Sequence, residues 1–258
     1  MPVATSSRAA AVARLAQLSL PGRVHLGAAP EPVRRFTSGV AAIDALCDGG
    51  VPCGRISELL GPVSSGKTSL LLTCLAAATR RGELAACVDL ADALHPASVA
   101  DAGADLQRLL WVRPPALTAA LRCTEVLLHA GGFAVVALDL GVPLPRRLPP
   151  HVWPRLLQAA ERSHTALIVL APHRVAGSFA VLSLGLRPRR PLWCRGLWPL
   201  FDGFETVAAI VRNKLGMPGR QIAVQVVDRS AVDSRRSIVN SSAPELSTID
   251  ARHALEAR

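Results

Sequence analysis

Residues Gly61 to Thr68 read Gly-Pro-Val-Ser-Ser-Gly-Lys-Thr, a complete G-x-x-x-x-G-K-[ST] pattern. The chemistry of that pattern is phosphate binding. Its glycines let consecutive backbone N–H groups converge on one centre, and the helix that follows offers a favourable dipole to an anion. Lys67 is spaced to reach β- and γ-phosphates, and the Thr68 hydroxyl to ligate Mg²⁺. The expected nucleotide-binding residues are Gly61, Pro62, Val63, Ser64, Ser65, Gly66, Lys67, Thr68 and Ser69. A second chemical element is the run Ala134-Val135-Val136-Ala137-Leu138-Asp139, five apolar residues ending on a carboxylate. An Asp at a strand end is often only a turn residue. Downstream of an intact phosphate loop it is expected beside that loop, holding Mg²⁺ directly or through water. Thr68 and Asp139 are therefore the expected metal residues.

Other chemistries are poorly supported. The six cysteines form no C-x-x-C pair, and the seven histidines form no H-x-x-x-H pair. Neither a zinc site nor a dithiol motif is indicated. Ser64 and Ser65 belong to the phosphate loop and need no nucleophilic role, and no Ser-His-Asp arrangement is readable.

The elements that must position these residues alternate along the chain. A strand over Arg55–Leu60 leads into the loop, and a helix over Lys67–Arg80 leads out. Strands are predicted at Leu84–Leu90, Leu109–Val112, Phe133–Leu140 and Ala166–Ala171, with helices at Leu117–Ala130 and Arg155–Ser163. A proline-rich loop covers Pro143–Pro154. Val181–Arg190, Phe204–Arg212 and Gln221–Val227 read as further strands. Strands alternating with helices predict an α/β fold with a mostly parallel sheet and helices on both faces. Ser7–Leu18 has helical spacing, and Val24–Leu26 is a short strand candidate. Residues 1–36 are read as an N-terminal helix/strand oligomerisation arm, 37–228 as the core, and 229–258 as a polar, flexible tail with a short helix near Ile249–Ala257.

Half of the 258 residues are apolar, enough for a buried core, and no apolar run is long enough to span a bilayer. The scattered cysteines suit a reducing cytoplasm. The net charge is +10, and Lys67 and Lys214 are the only lysines. A basic surface favours acidic partners such as nucleic acid, or is simply solvated. Arg187, Arg189 and Arg190 lie near Trp193, a pairing that can stack bases and bind phosphates or serve protein docking. Arg146, Arg147 and Arg174 complete the candidate DNA contacts.

Three stretches together resemble the RecA recombinase core: Thr37-Ser38-Gly39-Val40-Ala41-Ala42-Ile43-Asp44, Gly49-Gly50-Val51-Pro52-Cys53-Gly54-Arg55-Ile56 and the phosphate loop. Val88–Pro96 and Val211-Arg212-Asn213-Lys214 extend the resemblance, which covers roughly Ser7 to Val227. It implies a RecA-like P-loop NTPase core with ATP and Mg²⁺ as cofactors. It also implies that Arg212 and Lys214 reach across a subunit interface to a neighbour's nucleotide, unless they are a solvated strand end.

The departures are as informative. The resemblance places the family's water-activating glutamate at Ala91, its adenine-contacting Asp and Tyr at His95 and Ser98, and its γ-phosphate-sensing glutamine at Pro172. Alanine cannot polarise water, and loss of a positioned base costs about 10²–10⁴-fold. Asp92 is adjacent but points elsewhere. Both DNA-binding loops are shortened. This combination resembles the RecA-like accessory proteins of translesion mutagenesis, the ImuA type. It implies an ATP-binding accessory role in damage tolerance and the SOS response, with weak or no hydrolysis and no strand exchange. Implied partners are single-stranded DNA, a RecA recombinase or a Y-family polymerase-like protein, and further copies of the chain. Two rival readings remain: a DNA-dependent ATPase recombinase with a non-standard base, and a nucleotide-free adaptor such as a cell-division inhibitor.

Overall fold

The computed structural model describes residues 33–144, 148–193, 201–227 and 248–250. The chain enters with β1 (Arg35–Phe36), α1 (Ala41–Leu46) and β2 (Val51–Pro52), where β1 and β2 pair antiparallel. There follow β3 (Ile56–Leu60), α2 (Lys67–Arg80), β4 (Leu84–Asp89), α3 (Pro96–Asp101), β5 (Leu109–Val112), α4 (Leu117–Ala130), β6 (Phe133–Asp139), α5 (Val152–Ser163) and β7 (Ala166–Ala171). The chain then forms β8 (Ala180–Trp193), β9 (Phe201–Asn213), β10 (Gln221–Val227) and β11 (Thr248–Asp250).

One nine-stranded sheet runs β11-β10-β9-β8-β3-β7-β6-β4-β5. Its β5 to β8 half is parallel throughout. Beyond β8 the pairing turns antiparallel through β9 and β10, because only seven residues separate each strand from the next, too few for a crossover helix. The sequence separates the three strands but does not announce this antiparallel wing.

The parallel half is covered on both faces, so its strands are apolar on both. In β7 every residue is buried: Ile168 and Leu170 face the α2 side, and Leu167, Val169 and Ala171 face the α4–α5 side. Helix α2 buries Leu70, Leu71, Leu72 and Leu75, while α4 and α5 present Leu121, Leu128, Trp153 and Leu156 to the other face. Burying a side chain of this kind contributes about 1.5–3 kcal/mol.

Two elements differ from expectation. Helix α5 begins at Val152 rather than Arg155. Pro154 thus lies in its first turn, where a missing N–H costs nothing. Thr248–Asp250 is a strand paired in parallel with β10, not the start of a helix. The Ser7–Leu18 helix, the Val24–Leu26 strand, and the tail outside Thr248–Asp250 lie outside the described residues. Among the described residues no helix is long and apolar enough to cross a membrane.

Candidate functional site

Strand β3 is buried at every position and delivers the chain at its C-terminal end, between β7 and β8, into the Gly61–Thr68 loop. In parallel sheets ligands gather at such strand ends. Gly66 caps α2 in the left-handed conformation at φ 86°, and an added Cβ would sit 3.1 Å from Val226 Cγ2. The loop therefore rests against β10, with its opposite side open to a cavity of about 350 Å³. Val63, Ser64, Ser65, Gly66, Lys67, Thr68 and Ser69 line that cavity, with Ala91, Ala93, Asp139, Gly141 and Val142 opposite.

The Lys67 ammonium donates to the Pro62 carbonyl at 3.1 Å, folding back over the loop. Burial pushes its pKa below the ordinary value, and the Asp139 charge opposes that shift. Ser65 Oγ is buried with no hydrogen-bond partner. A buried hydroxyl without a partner, on a residue that lines the cavity beside the Lys67 cation, is a polar group short of an acceptor. The loop thus fits an anionic phosphate chain.

Asp139 ends β6 directly opposite Asp89, the last residue of β4. Burial raises the Asp139 pKa above its usual range. The Gly141 N–H at 2.9 Å lowers it, the Asp89 charge adds to the rise, and Lys67 lowers it again. The two carboxylates have different work. Asp89 accepts from Ala93 N at 3.2 Å, Leu94 N at 2.8 Å and Trp111 Nε1 at 3.3 Å, so it is spent on holding the 90–95 turn. Asp139 faces the cavity. Asp89 is a residue whose role sequence reasoning missed; the strand end just before a turn and Pro96 is the only signal it carries.

Ala91 lies on the cavity wall beside Gly141, whose added Cβ would fall 2.6 Å from the Ala91 Cβ. Asp92 turns outward at φ 54° and forms a two-point ion pair with Arg113. Arg113 in turn stacks over Trp111, 5.0 Å from the ring centre. Among the described residues lining the cavity, Asp139 is the one carboxylate. His95 Nδ1 and Ser98 Oγ lie 3.3 Å apart and bond to each other.

Among the described residues the basic candidates lie on separate segments of the chain. Arg174 donates to the Gly177 carbonyl, with its Nε 3.8 Å from Glu58. Arg189 and Arg190, two of the candidate DNA contacts, both pair with Glu205 on the β8–β9 ribbon. Arg187 lies on the same ribbon, exposed. Arg146 and Arg147 lie outside the described residues. Lys214 donates to the Ser178 carbonyl, and the partly buried Arg212 leaves its Nε unpaired.

The RecA N-terminal domain family matches residues 22–147, from before β1 through β6 and the Asp139 end of the site. RecA of Rhizobium leguminosarum bv. trifolii is 36% identical over 241 residues, covering 81% of this chain and 66% of that protein. The chain belongs to the RecA family. RecA of Rubrobacter xylanophilus is 41% identical over 112 residues, covering 43% of this chain and 33% of that protein. The chain thus spans from about a third to about two thirds of the length of these RecA relatives. The crystal structure of the RadB recombinase superposes with a TM-score of 0.59 at 19% identity, over 74% of this chain and 96% of that one. This last likeness is one of fold.

Proposed function

We propose that this RecA-family chain is an ATP-binding accessory protein of DNA-damage tolerance that hydrolyses ATP weakly or not at all and exchanges no strands. One observation carries the reading: a complete phosphate cradle faces Ala91, where the family resemblance calls for the water-activating glutamate. Gly61–Ser69 would hold the phosphates, with Lys67 as their counter-charge. Thr68 and Asp139 would hold Mg²⁺, which when bound neutralises phosphate charge. Nothing polar at position 91 orients a water, and Asp92 is engaged by Arg113 on the outer side of its turn. Bound nucleotide then acts as an assembly or conformational ligand rather than as fuel.

The shortened segment between β7 and β8 supports the absence of strand exchange. Any contact with single-stranded DNA falls to Arg187, Arg189, Arg190, Arg174 and the Arg146–Arg147 loop. Arg212 and Lys214 would meet a neighbouring copy. The protein partner would be a RecA recombinase or a Y-family polymerase-like protein.

The test is a thermal shift with Mg-ATP on the wild type and on Lys67→Ala. At a hundredfold excess over Kd, ligand adds about 2.7 kcal/mol of stability. A clear rise in the wild type and none in the variant is expected. Equal shifts in both would overturn the site.

A further inference from the structure

Thr206 lies on β9, fully buried, with its hydroxyl 2.9 Å from the Ser65 carbonyl oxygen and 2.9 Å from the Arg187 carbonyl oxygen. A hydroxyl has one proton, so it serves one of these acceptors at a time. The first acceptor is inside the phosphate loop. The Ser65 carbonyl and the Gly66 N–H are the two ends of a single planar peptide unit, so fixing the oxygen fixes the direction of the N–H. This peptide has little room to retreat. A Cβ on Gly66 would lie 3.1 Å from Val226 Cγ2 and 3.6 Å from Thr206 Cγ2.

The second acceptor lies where the β8–β9 ladder is weakest. Thr206 is opposite Pro188, which has no N–H to give, and the register shifts between Pro188 and Arg190. Beyond that break the ribbon carries Arg189 and Arg190 on Glu205, and Trp193 against Phe201. The segment between β7 and β8 is held differently. Glu58 accepts the N–H groups of Val175 and Ala176 and the hydroxyl of Ser183, none of which involves the phosphate loop itself.

We propose that Thr206 is a positioning residue for the phosphate loop, and that its shared proton makes the β8–β9 ribbon, rather than residues 172–179, the part of the chain that answers nucleotide binding. The inference rests on the nucleotide reading above. When the Gly66 N–H donates to an anion, the carbonyl of the same peptide becomes a stronger acceptor, because hydrogen bonds in a chain polarise one another. The Thr206 proton then goes to Ser65, and the Arg187 carbonyl loses its donor at the break in the ladder.

The experiment measures Mg-ATP affinity and backbone hydrogen exchange on the full chain as wild type, Thr206→Val and Thr206→Ser. In the wild type, Mg-ATP speeds exchange in residues 187–193 and leaves 172–179 unchanged. Thr206→Val binds about five- to tenfold more weakly, the worth of one hydrogen bond, and loses the exchange response. Thr206→Ser keeps both. A valine variant with wild-type affinity and response overturns the inference, as does a serine variant that fails like valine. If valine prevents folding, the wild-type exchange map and the serine variant decide: a response confined to 172–179 overturns it. A wild type that binds no Mg-ATP overturns the nucleotide reading, and this inference with it.

Discussion

The Glu58 carboxylate, in the middle of the strand that feeds the phosphate loop, accepts the Ser183 hydroxyl at 2.6 Å. Its other oxygen accepts Val175 N and Ala176 N, each at 2.8 Å. A fully buried acid on β3 therefore ties down the short segment that leaves β7 and the strand that follows it. Removing it strands two N–H groups and a hydroxyl in the interior, each worth about 1–3 kcal/mol when unpaired. Glu58→Ala is expected to cost about 3 kcal/mol. At about 2–4 °C per kcal/mol for a chain of this size, thermal unfolding should fall by about 6–12 °C. Glu58→Gln keeps an acceptor and loses less, and calorimetry of the three proteins checks the order.

Ala91 puts a methyl group on the cavity wall, and the lack of a base proposed for that position is reversible. Ala91→Glu is expected to raise ATP turnover about ten- to a hundredfold, the lower part of what a positioned base contributes, because Pro172 still supplies no amide. Asp92→Ala should leave turnover unchanged, since Asp92 is directed to Arg113. Steady-state phosphate release on the three proteins measures both. A fall in Asp92→Ala would identify Asp92 as the working base.

Asp139 gives the fold a pH dependence with a definite sign. Burial, chiefly, raises its pKa in the folded chain above the unfolded value. A carboxyl raised in this way contributes stability at pH values below its unfolded pKa, and that stability is lost as pH rises through the folded pKa. At neutral pH in a chelator, Asp139→Asn should therefore unfold at a higher temperature than the wild type. The gap should close as pH falls below both pKa values. Mg²⁺ should stabilise the wild type and not the variant. Unfolding midpoints between pH 3 and pH 7.5, with and without Mg²⁺, read all three effects.

Lys67 is already desolvated and folded back onto the Pro62 carbonyl. Lys67→Ala removes a buried cation whose partner is a single carbonyl, so the metal-free fold should tolerate it. Mg-ATP binding should be lost. Calorimetric titration separates the two: heat of binding disappears while the unfolding curve stays near that of the wild type.

The parts of this molecule legible in the sequence are those written in one stretch. Gly61–Thr68, the apolar run ending at Asp139, and the alternating strands and helices of the parallel half depend on neighbours a few residues away. Local pattern therefore places them. The parts that were not legible depend on residues far apart. Glu58 meets Ala176 across 118 positions, and Thr206 meets Ser65 across 141. Arg220 reaches Asp48 across 172. No periodicity marks such pairs, because the fold alone brings them together. Pro154 misled for a local reason: read as a loop residue, it lies in the first turn of a helix instead. Glu205 is a further distant partner, taking up Arg189 and Arg190 from the neighbouring strand.

The central claim is a nucleotide site that binds without turning over. The most direct test is ATP binding and ATP turnover on one purified sample, with and without single-stranded DNA. The account predicts saturable Mg-ATP binding with negligible phosphate release in both conditions. Turnover stimulated by DNA would contradict it, for it would mean that a base stands in for Ala91 and that the chain works as a recombinase.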